Sequence, residues 1–267
     1  MSFVDEELSE LADRDSLFTV LDKMEGEVYR AVESRRTFRF EYRGRAYFAK
    51  LHFGVGWGEI FKNLVQLRLP VVGAANERRA IERLTGIGVD TMEPVAYVEE
   101  GMNPATRHSA IVTRELTDTI SLEDLALAGP IPFALRLRLI RKVAAISREM
   151  HAHGVNHRDL YICHFHLDRR TQDAPEPRIH VIDLHRAQVR RSTPVRWVVK
   201  DIGGLLFSAA DAGLGRRDLL RFMREYSGEP LAVTLVRDRR FWKRVIARAR
   251  RLYSQEHGRP FAAEWRG

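Results

Sequence analysis

Two aspartates, Asp159 and Asp183, stand in sequence contexts that suit phosphoryl transfer. Asp159 ends the segment His157-Arg158-Asp159, which follows a predicted long helix and precedes a predicted short strand. Asp183 comes 24 residues later, at the end of a second predicted strand. Because a hairpin brings strand ends together, we expect both carboxylates to face one cleft. One carboxylate of such a pair can accept the proton of a hydroxyl nucleophile, and the other can hold Mg²⁺ on phosphates.

Other residues of matching chemistry occur in a fixed order around this pair. Lys50 lies near the end of a predicted third strand, and Glu77 lies on the next predicted helix. His164 follows Asp159 by five residues, and Asp201 lies in the later segment Lys200-Asp201-Ile202-Gly203-Gly204. This order resembles the signature set of protein kinases. The plain alternative is that each residue takes part in an ordinary surface ion pair.

The sequence also resembles a narrower family, the lipopolysaccharide core heptose(I) kinases (RfaP/WaaP) of Gram-negative bacteria. The resemblance runs from about residue 20 to about residue 225, and its motifs are specific. It implies a protein-kinase-like fold and ATP-dependent phosphorylation of the first inner-core heptose on the cytoplasmic side of the inner membrane. The motifs that carry it are Glu27 to Arg30, Arg35 to Phe40, Gly88 to Met92, Thr119 to Asp124, Asn156 to Phe165 and Val181 to Gln188.

The resemblance implies a role for each residue of the kinase-like set. Asp159 would be the catalytic base beside Arg158, and Lys50 would hold the α- and β-phosphates of ATP and pair with Glu77. Mg²⁺ would bind Asp183, with His164 at the second metal position. His157 would be a packing residue, and Asp201 would anchor the catalytic loop. The backbone near Glu115 and Leu116 would form the adenine-binding hinge.

Two positions depart from the kinase pattern. His164 stands where kinases have a metal-binding Asn, and imidazole is softer than the oxygen ligands that Mg²⁺ prefers. His164 could instead orient Asp159 or a phosphate. The glycine-rich loop is missing, and we expect Arg35-Arg36-Thr37 in that turn, with Arg36 contacting phosphate in place of glycine backbone.

The elements that must position these residues form an α+β pattern with two lobes. An acidic helical segment is predicted over residues 1–27, and a five-stranded antiparallel lobe with one helix over 28–116. Residues 117–267 predict a mainly helical lobe with one small hairpin near 163–167 and 179–182. A further helix is expected around 59–67.

Composition narrows the class of protein. One cysteine excludes a disulfide framework, and the acidic N-terminus is not a signal peptide. No apolar run approaches the roughly 18 residues of a membrane-spanning helix. Composition therefore indicates a soluble or peripheral protein of a reducing compartment, and the resemblance implies that it is cytoplasmic and peripheral at the inner membrane.

Charge is divided unevenly along the chain. Residues 1–27 carry nine acidic residues against two basic ones, so the local charge is −7 and the other 240 residues carry +15. Only six of the 44 basic residues are lysine, and arginine suits contact with phosphate or carboxylate. This charge indicates an anionic partner without identifying it, and with the resemblance it fits a phosphorylated glycolipid acceptor and an anionic membrane surface. On a helical wheel, the predicted last helix has one basic face, which could dock a small acidic protein. This face consists of Arg237, Arg240, Arg244, Arg248 and Arg251.

Rival interpretations remain at this stage. A kinase for another sugar or for protein serine or tyrosine would use the same active-site residues. A pseudokinase scaffold would keep the fold without turnover. Nucleic-acid binding is not expected, because the sequence has no recognisable helix-turn-helix and no aromatic stacking motif. A zinc site is prompted by seven histidines between 151 and 185, but His164 and His166 would point to one face of a strand and Cys163 to the other.

Overall fold

Alternating aromatic and polar residues over 28–51 form the centre of an antiparallel sheet in the computed structural model. The model describes residues 2–12, 15–32, 34–54, 56–58, 73–103 and 105–261. They divide into a first unit, Met1–Glu82 with Met92–Thr117, and a second unit, Arg83–Thr91 with Asp118–Gly267. The helix predicted around 59–67 lies outside the described residues.

Strands β3 and β4 form the hairpin at the centre of this sheet. Phe38 and Phe40 alternate along β3 with exposed or half-buried polar residues, so their rings lie on the buried face. The two-residue turn places Arg43 at φ 50° and Gly44 at φ 73°. This is the left-handed backbone that favours tight hairpins and that glycine adopts without strain.

Within the described residues the sheet has six strands, one more than predicted, in the spatial order β1-β5-β6-β4-β3-β2. The extra strand is β1, in which Phe3 pairs with Tyr97 of β5. Helix α3 (Ala75–Gly86) lies between β4 and β5. The six strands are β1 (Phe3–Val4), β2 (Glu27–Val32), β3 (Arg35–Tyr42), β4 (Arg45–His52), β5 (Pro94–Glu100) and β6 (His108–Arg114).

The acidic segment packs into the first unit. Its helices α1 (Glu6–Ser9) and α2 (Leu17–Lys23) contribute Leu8 and Leu21 to the same buried cluster as Phe38. Glu7 accepts hydrogen bonds from Arg45 at 2.7 Å and from Arg114 at 3.0 Å. The acidic residues therefore neutralise arginines at the ends of the central strands, and the segment is part of the sheet's support.

The second unit is mainly helical, as predicted. Its strands form one three-stranded sheet, in the order β10-β9-β7, and a two-stranded pair of β11 with β8. The helices are α4 (Leu122–Leu127), α5 (Phe133–Ala152), α6 (Val195–Ser208), α7 (Arg216–Ser227), α8 (Leu231–Arg237) and α9 (Arg239–His257). The strands are β7 (Thr119–Ser121), β8 (Val155–Asn156), β9 (Phe165–Asp168), β10 (Ile179–Val181) and β11 (Gln188–Val189).

Local chemistry fixes where the helices around the His157–Asp159 loop begin and end. Ser121 caps α4, since its Oγ accepts the backbone N–H of Asp124 at 3.0 Å. Gly154 follows α5 at φ 81°, and a Cβ there would come within 1.8 Å of the Arg190 carbonyl oxygen. Only glycine therefore lets the chain turn from α5 into β8 while β11 lies alongside.

The basic face predicted for the last helix is smaller than expected. Arg237 lies at the end of α8, where it pairs with Asp238 at 3.0 Å, because the chain breaks between two helices there. Arg248 is half-buried with its aliphatic stem against Gly203 of α6. Arg240, Arg244 and Arg251 remain exposed on α9. Across the part of the chain that the structure describes, no helix is long and apolar enough to span a bilayer.

Candidate active site

A buried ion pair in the first unit joins β4 to α3. Lys50 Nζ lies 2.6 Å from Glu77 Oε1, and the side chains are 14% and 1% exposed. Glu77 stands in the first turn of α3, where the helix dipole favours a negative charge. A carboxylate this deeply buried requires a cationic partner. The pairing expected from the sequence is therefore present, although 26 residues separate Lys50 and Glu77 in the chain.

The expected hinge residues follow β6 directly. The backbone N–H of Glu115 donates to the carbonyl of Ala46 at 3.0 Å, which continues the sheet pairing by one residue towards Leu116. The Glu115 carboxylate accepts two hydrogen bonds from Arg39, at 2.9 and 3.0 Å. The side chain of Glu115 thus braces β3 against β6 and leaves the adjoining backbone to serve any ligand.

Arg36 differs from its sequence prediction. Arg35-Arg36-Thr37 opens strand β3 and does not occupy the turn, because these residues pair with β2 and β4. The Arg36 guanidinium donates to the carbonyls of Asp22 and Met24 at 2.7 and 2.8 Å. It also lies 4.4 Å over the ring of Phe38. Arg36 therefore ties the segment after α2 to the sheet, a role with no signal in the sequence.

In the second unit, Asp201 of α6 holds the backbone of the catalytic loop. Its fully buried carboxylate accepts the N–H of His157 at 2.7 Å and the N–H of Arg158 at 2.9 Å. These bonds stabilise Arg158 at φ 76°, a left-handed conformation that costs a non-glycine residue energy. Asp201 thus makes the backbone hydrogen bonds expected of a loop anchor.

The carboxylate of Asp159 lies between two cations that the sequence analysis did not assign to it. Arg186 Nη1 lies 2.9 Å from Oδ1 and 2.8 Å from Oδ2. Lys200 Nζ lies 3.9 Å from Oδ1 and also donates to the carbonyl of Arg158. Burial lowers the pKa of Lys200 to about 8. Arg186 lies three residues after Asp183, and Lys200 directly precedes Asp201. This proximity in sequence is the only sequence signal that could have identified them.

Asp183 adopts a left-handed conformation, φ 57° and ψ 52°, after β10. Its Oδ1 accepts a hydrogen bond from His185 Nδ1 at 2.6 Å, and its Oδ2 lies 3.7 Å from His164 Nε2. The two aspartates therefore have different surroundings within one unit. Cations flank Asp159, whereas imidazoles flank Asp183.

The protons on His157 and His164 follow from their hydrogen bonds. A carbonyl can only accept, so His157 Nε2 donates to Ile182 at 2.9 Å and His164 Nδ1 donates to Asp159 at 2.8 Å. Burial lowers the pKa of His157, which keeps its ring neutral. The two rings lie nearly parallel, with centroids 5.4 Å apart. His157 thus joins the catalytic loop to the residue before Asp183.

The residues around Asp183 suit Mg²⁺ that is also held by phosphates. When His164 is neutral, Nδ1 carries its proton and Nε2 presents a lone pair towards Asp183. In the described residues, no three His, Cys, Asp or Glu side chains are grouped as a metal cage. Mg²⁺ typically takes one or two carboxylates and completes its shell with substrate oxygens and water. The donor set fits that pattern.

The argument that Cys163 and His164 lie on a strand is corrected by the structure. Both residues belong to a 3₁₀ turn, Ile162–His164, and β9 begins at Phe165. Burial raises the pKa of the Cys163 thiol to about 11. A thiol held protonated at neutral pH is a poor metal ligand.

Comparison with known proteins places this geometry in a family. The family model described as lipopolysaccharide kinase (Kdo/WaaP) matches residues 20–226. The lipopolysaccharide core heptose(I) kinase WaaP of Pseudomonas aeruginosa is 48% identical over 244 residues, covering 90% of this chain and 91% of that protein. The protein of the same name from Escherichia coli K12 is 46% identical over 239 residues, covering 88% and 90%.

A solved structure described as WaaP in complex with acyl carrier protein also matches. It is 40% identical, with a TM-score of 0.81, and the match covers 95% of this chain and 99% of that chain. The α+β, protein-kinase-like fold expected from the sequence is thereby confirmed. This chain belongs to the lipopolysaccharide kinase (Kdo/WaaP) family.

Proposed function

We propose that this protein is an ATP-dependent kinase that phosphorylates the first inner-core heptose of lipopolysaccharide. The relatives' names supply the substrate class, at 46–48% identity over about nine-tenths of the chain. The observation that carries the proposal is the contrast between Asp159 and Asp183. One carboxylate lies among cations beside an anchored loop, and the other lies beside a histidine lone pair. This is the division of labour that phosphoryl transfer to a hydroxyl requires.

Asp159 would accept the proton of the heptose hydroxyl. Its carboxylate is ion-paired with Arg186, so this cation must shift or share the carboxylate when the acceptor binds. The anchored backbone at His157 and Arg158 fixes the loop, which limits the reorganisation needed at the moment of transfer. Arg158 would contribute through this backbone position.

Lys50 would hold the α- and β-phosphates of ATP, with Glu77 keeping the ammonium in place. The backbone near Glu115 and Leu116 would bind the adenine. Asp183 and His164 would hold Mg²⁺, which when bound neutralises developing charge on the phosphates. Arg36 has no part in this scheme, because its donors bind main-chain carbonyls.

Transfer of phosphate from ATP to purified core-truncated lipopolysaccharide tests the function, with mass spectrometry to locate the phosphate. Asp159→Asn should lower kcat at least about 100-fold, since a positioned general base contributes roughly 10²–10⁴-fold. Asp173→Asn is the matched control, because Asp173 is exposed in the loop between β9 and β10. Transfer to protein or to a different sugar, or nucleotide binding without turnover, would reject the proposal.

We further propose that the enzyme works on the cytoplasmic side of the inner membrane and docks a small acidic protein through Arg240, Arg244 and Arg251 of α9. The exposure of these three arginines supports this surface. So does the solved relative, whose title pairs WaaP with acyl carrier protein. Arg240→Glu with Arg244→Glu should abolish co-purification with acyl carrier protein, whereas Arg141→Glu, at an exposed position of α5, should not. Unchanged binding in the double variant would exclude this surface.

A further inference from the structure

Four cationic groups surround the indole ring of Trp197 at the start of α6. The guanidinium carbons of Arg196, Arg158 and Arg190 lie 5.5, 5.7 and 5.8 Å from the ring centroid. Lys200 Nζ lies 5.8 Å from the same centroid. An aromatic face attracts a cation at such distances, so the ring provides a support that holds several positive groups together.

Two arginines of this cluster, Arg190 and Arg196, are not balanced by carboxylates, whereas Lys200 lies 3.9 Å from Asp159. Arg190 gives its hydrogen bonds to the neutral amides of Asn156 and Gln188. Among the residues that the structure describes, neither Arg190 nor Arg196 forms an ion pair with a carboxylate. Burial, and to a smaller extent the charge of Arg196, lowers the pKa of Arg190. Arg190 and Arg196, two positive groups held over one ring without a carboxylate between them, are suited to binding an anion.

The backbone adds to the same positive field. Helix α6 begins after Pro194, and no side chain caps its first N–H groups. The 14-residue helix directs the positive end of its dipole towards this start. Thr193 Oγ1 and Trp197 Nε1 are buried and, within the described ranges, have no hydrogen-bond partner. The uncapped N–H groups at the start of α6 and the arginines over Trp197 are all donors, so they suit a ligand with several acceptor oxygens.

The cluster adjoins the catalytic carboxylate. Lys200 belongs to it and lies 3.9 Å from Asp159, and Arg158 precedes Asp159 in the chain. An anion bound here would therefore lie next to the hydroxyl that Asp159 serves. We propose that Arg190, Arg196 and Lys200, supported by Trp197, bind a phosphate or carboxylate group of the acceptor saccharide that neighbours the phosphorylated sugar. The inference rests on the proposed kinase function and names a substrate contact that the kinase-like signature does not include.

Steady-state kinetics with two acceptors tests this site. Arg196→Gln and Arg190→Gln should each raise the KM for the intact core acceptor about tenfold or more, as expected for loss of a charge-assisted hydrogen bond. The KM for ATP should stay unchanged. With an acceptor whose phosphates have been removed and whose carboxylates have been reduced, the wild type and both variants should have the same high KM. Arg141→Gln, an exposed arginine of α5, is the matched control.

Each outcome has a separate meaning. If the wild type transfers phosphate to the acceptor and the variants keep its KM, the anion site is wrong and the kinase function stands. If the wild type transfers no phosphate, the proposed function itself fails. Co-sedimentation with vesicles of anionic phospholipid separates a lipid headgroup from the acceptor's own anion. Loss of vesicle binding with unchanged acceptor KM would overturn the inference, and loss of acceptor affinity alone would support it.

Discussion

His164 donates its Nδ1–H to the main-chain carbonyl of Asp159 at 2.8 Å. The same ring presents Nε2 to Asp183 Oδ2 at 3.7 Å. An asparagine amide at this position, as in the kinase signature, could likewise donate with its nitrogen and offer an oxygen to a metal. The imidazole therefore reproduces both functions of the amide in one side chain, which supports His164 as the second magnesium ligand.

Replacing His164 tests this equivalence. His164→Asn should keep at least about a tenth of the activity and lower the Mg²⁺ concentration needed for half-maximal rate, because oxygen suits Mg²⁺ better than nitrogen. His164→Ala should lose about 10- to 100-fold, the usual loss when support of a metal site is removed. Rates measured against Mg²⁺ concentration check both. The exposed His153 provides the control His153→Ala, and equal rates in all three variants would rule out a metal role.

The Lys50–Glu77 pair should contribute to stability as well as to activity. Lys50→Met leaves Glu77, whose side chain is 1% exposed, without its lysine, and we expect a fall of about 3–5 kcal/mol in the free energy of unfolding. The double variant Lys50→Met with Glu77→Gln should recover most of that loss but none of the activity. Denaturant titration and phosphate transfer measure the two effects. A double variant as unstable as Lys50→Met would refute the charge argument.

Lys200 should give the reaction a descending limb at alkaline pH. Burial is the main cause that lowers its pKa to about 8. The negative charges of Asp159 and Asp201 oppose this decrease, and the positive charges of Arg186 and Arg158 add to it. Above that pH the ammonium loses its proton, so kcat/KM for the acceptor should fall. Lys200→Arg, which keeps its charge, should remove the limb.

The contribution of Lys200 to protein stability cannot account for this limb. In the unfolded chain a lysine keeps its proton up to a pKa of about 10.4. Between pH 8 and that value the unfolded state holds more protons, so the contribution of Lys200 to stability rises with pH. Activity and this contribution should therefore change in opposite directions. Thermal unfolding recorded beside the pH–rate profile checks the sign, and a profile in Lys200→Arg identical to the wild type would exclude Lys200.

Periodicity and local chemistry predicted much of the fold. The alternation around Phe38 and the cap at Ser121 depend on near neighbours, and both are found where the sequence indicates them. The two-residue strand β1 has no period to detect, since Phe3 and Val4 form a strand only because β5 offers a partner edge. The predicted turn at Arg35 failed because register with β4 extends the strand by three residues.

In the candidate site too, the sequence predicts features that depend on near neighbours but not contacts between distant residues. Lys50, Asp159 and Asp183 stand in recognisable sequence order, and Asp201 is found from the spacing that follows them. Arg186 lies 27 residues after Asp159 and contacts it from a 3₁₀ turn that the sequence does not predict. Contacts of this kind depend on the folded path of the backbone, and a single sequence carries no pattern for them.

The left-handed backbone at Arg158 and Asp183 has a consequence for protein engineering. Glycine adopts such angles without steric cost, so Arg158→Gly and Asp183→Gly relieve strain at the two positions that flank the chemistry. A library selected only for heat resistance would therefore enrich glycine there and discard the Asp183 carboxylate on which the proposed metal site depends. Directed evolution of this protein must therefore measure phosphate transfer in every round, because the most heat-resistant variants would be inactive.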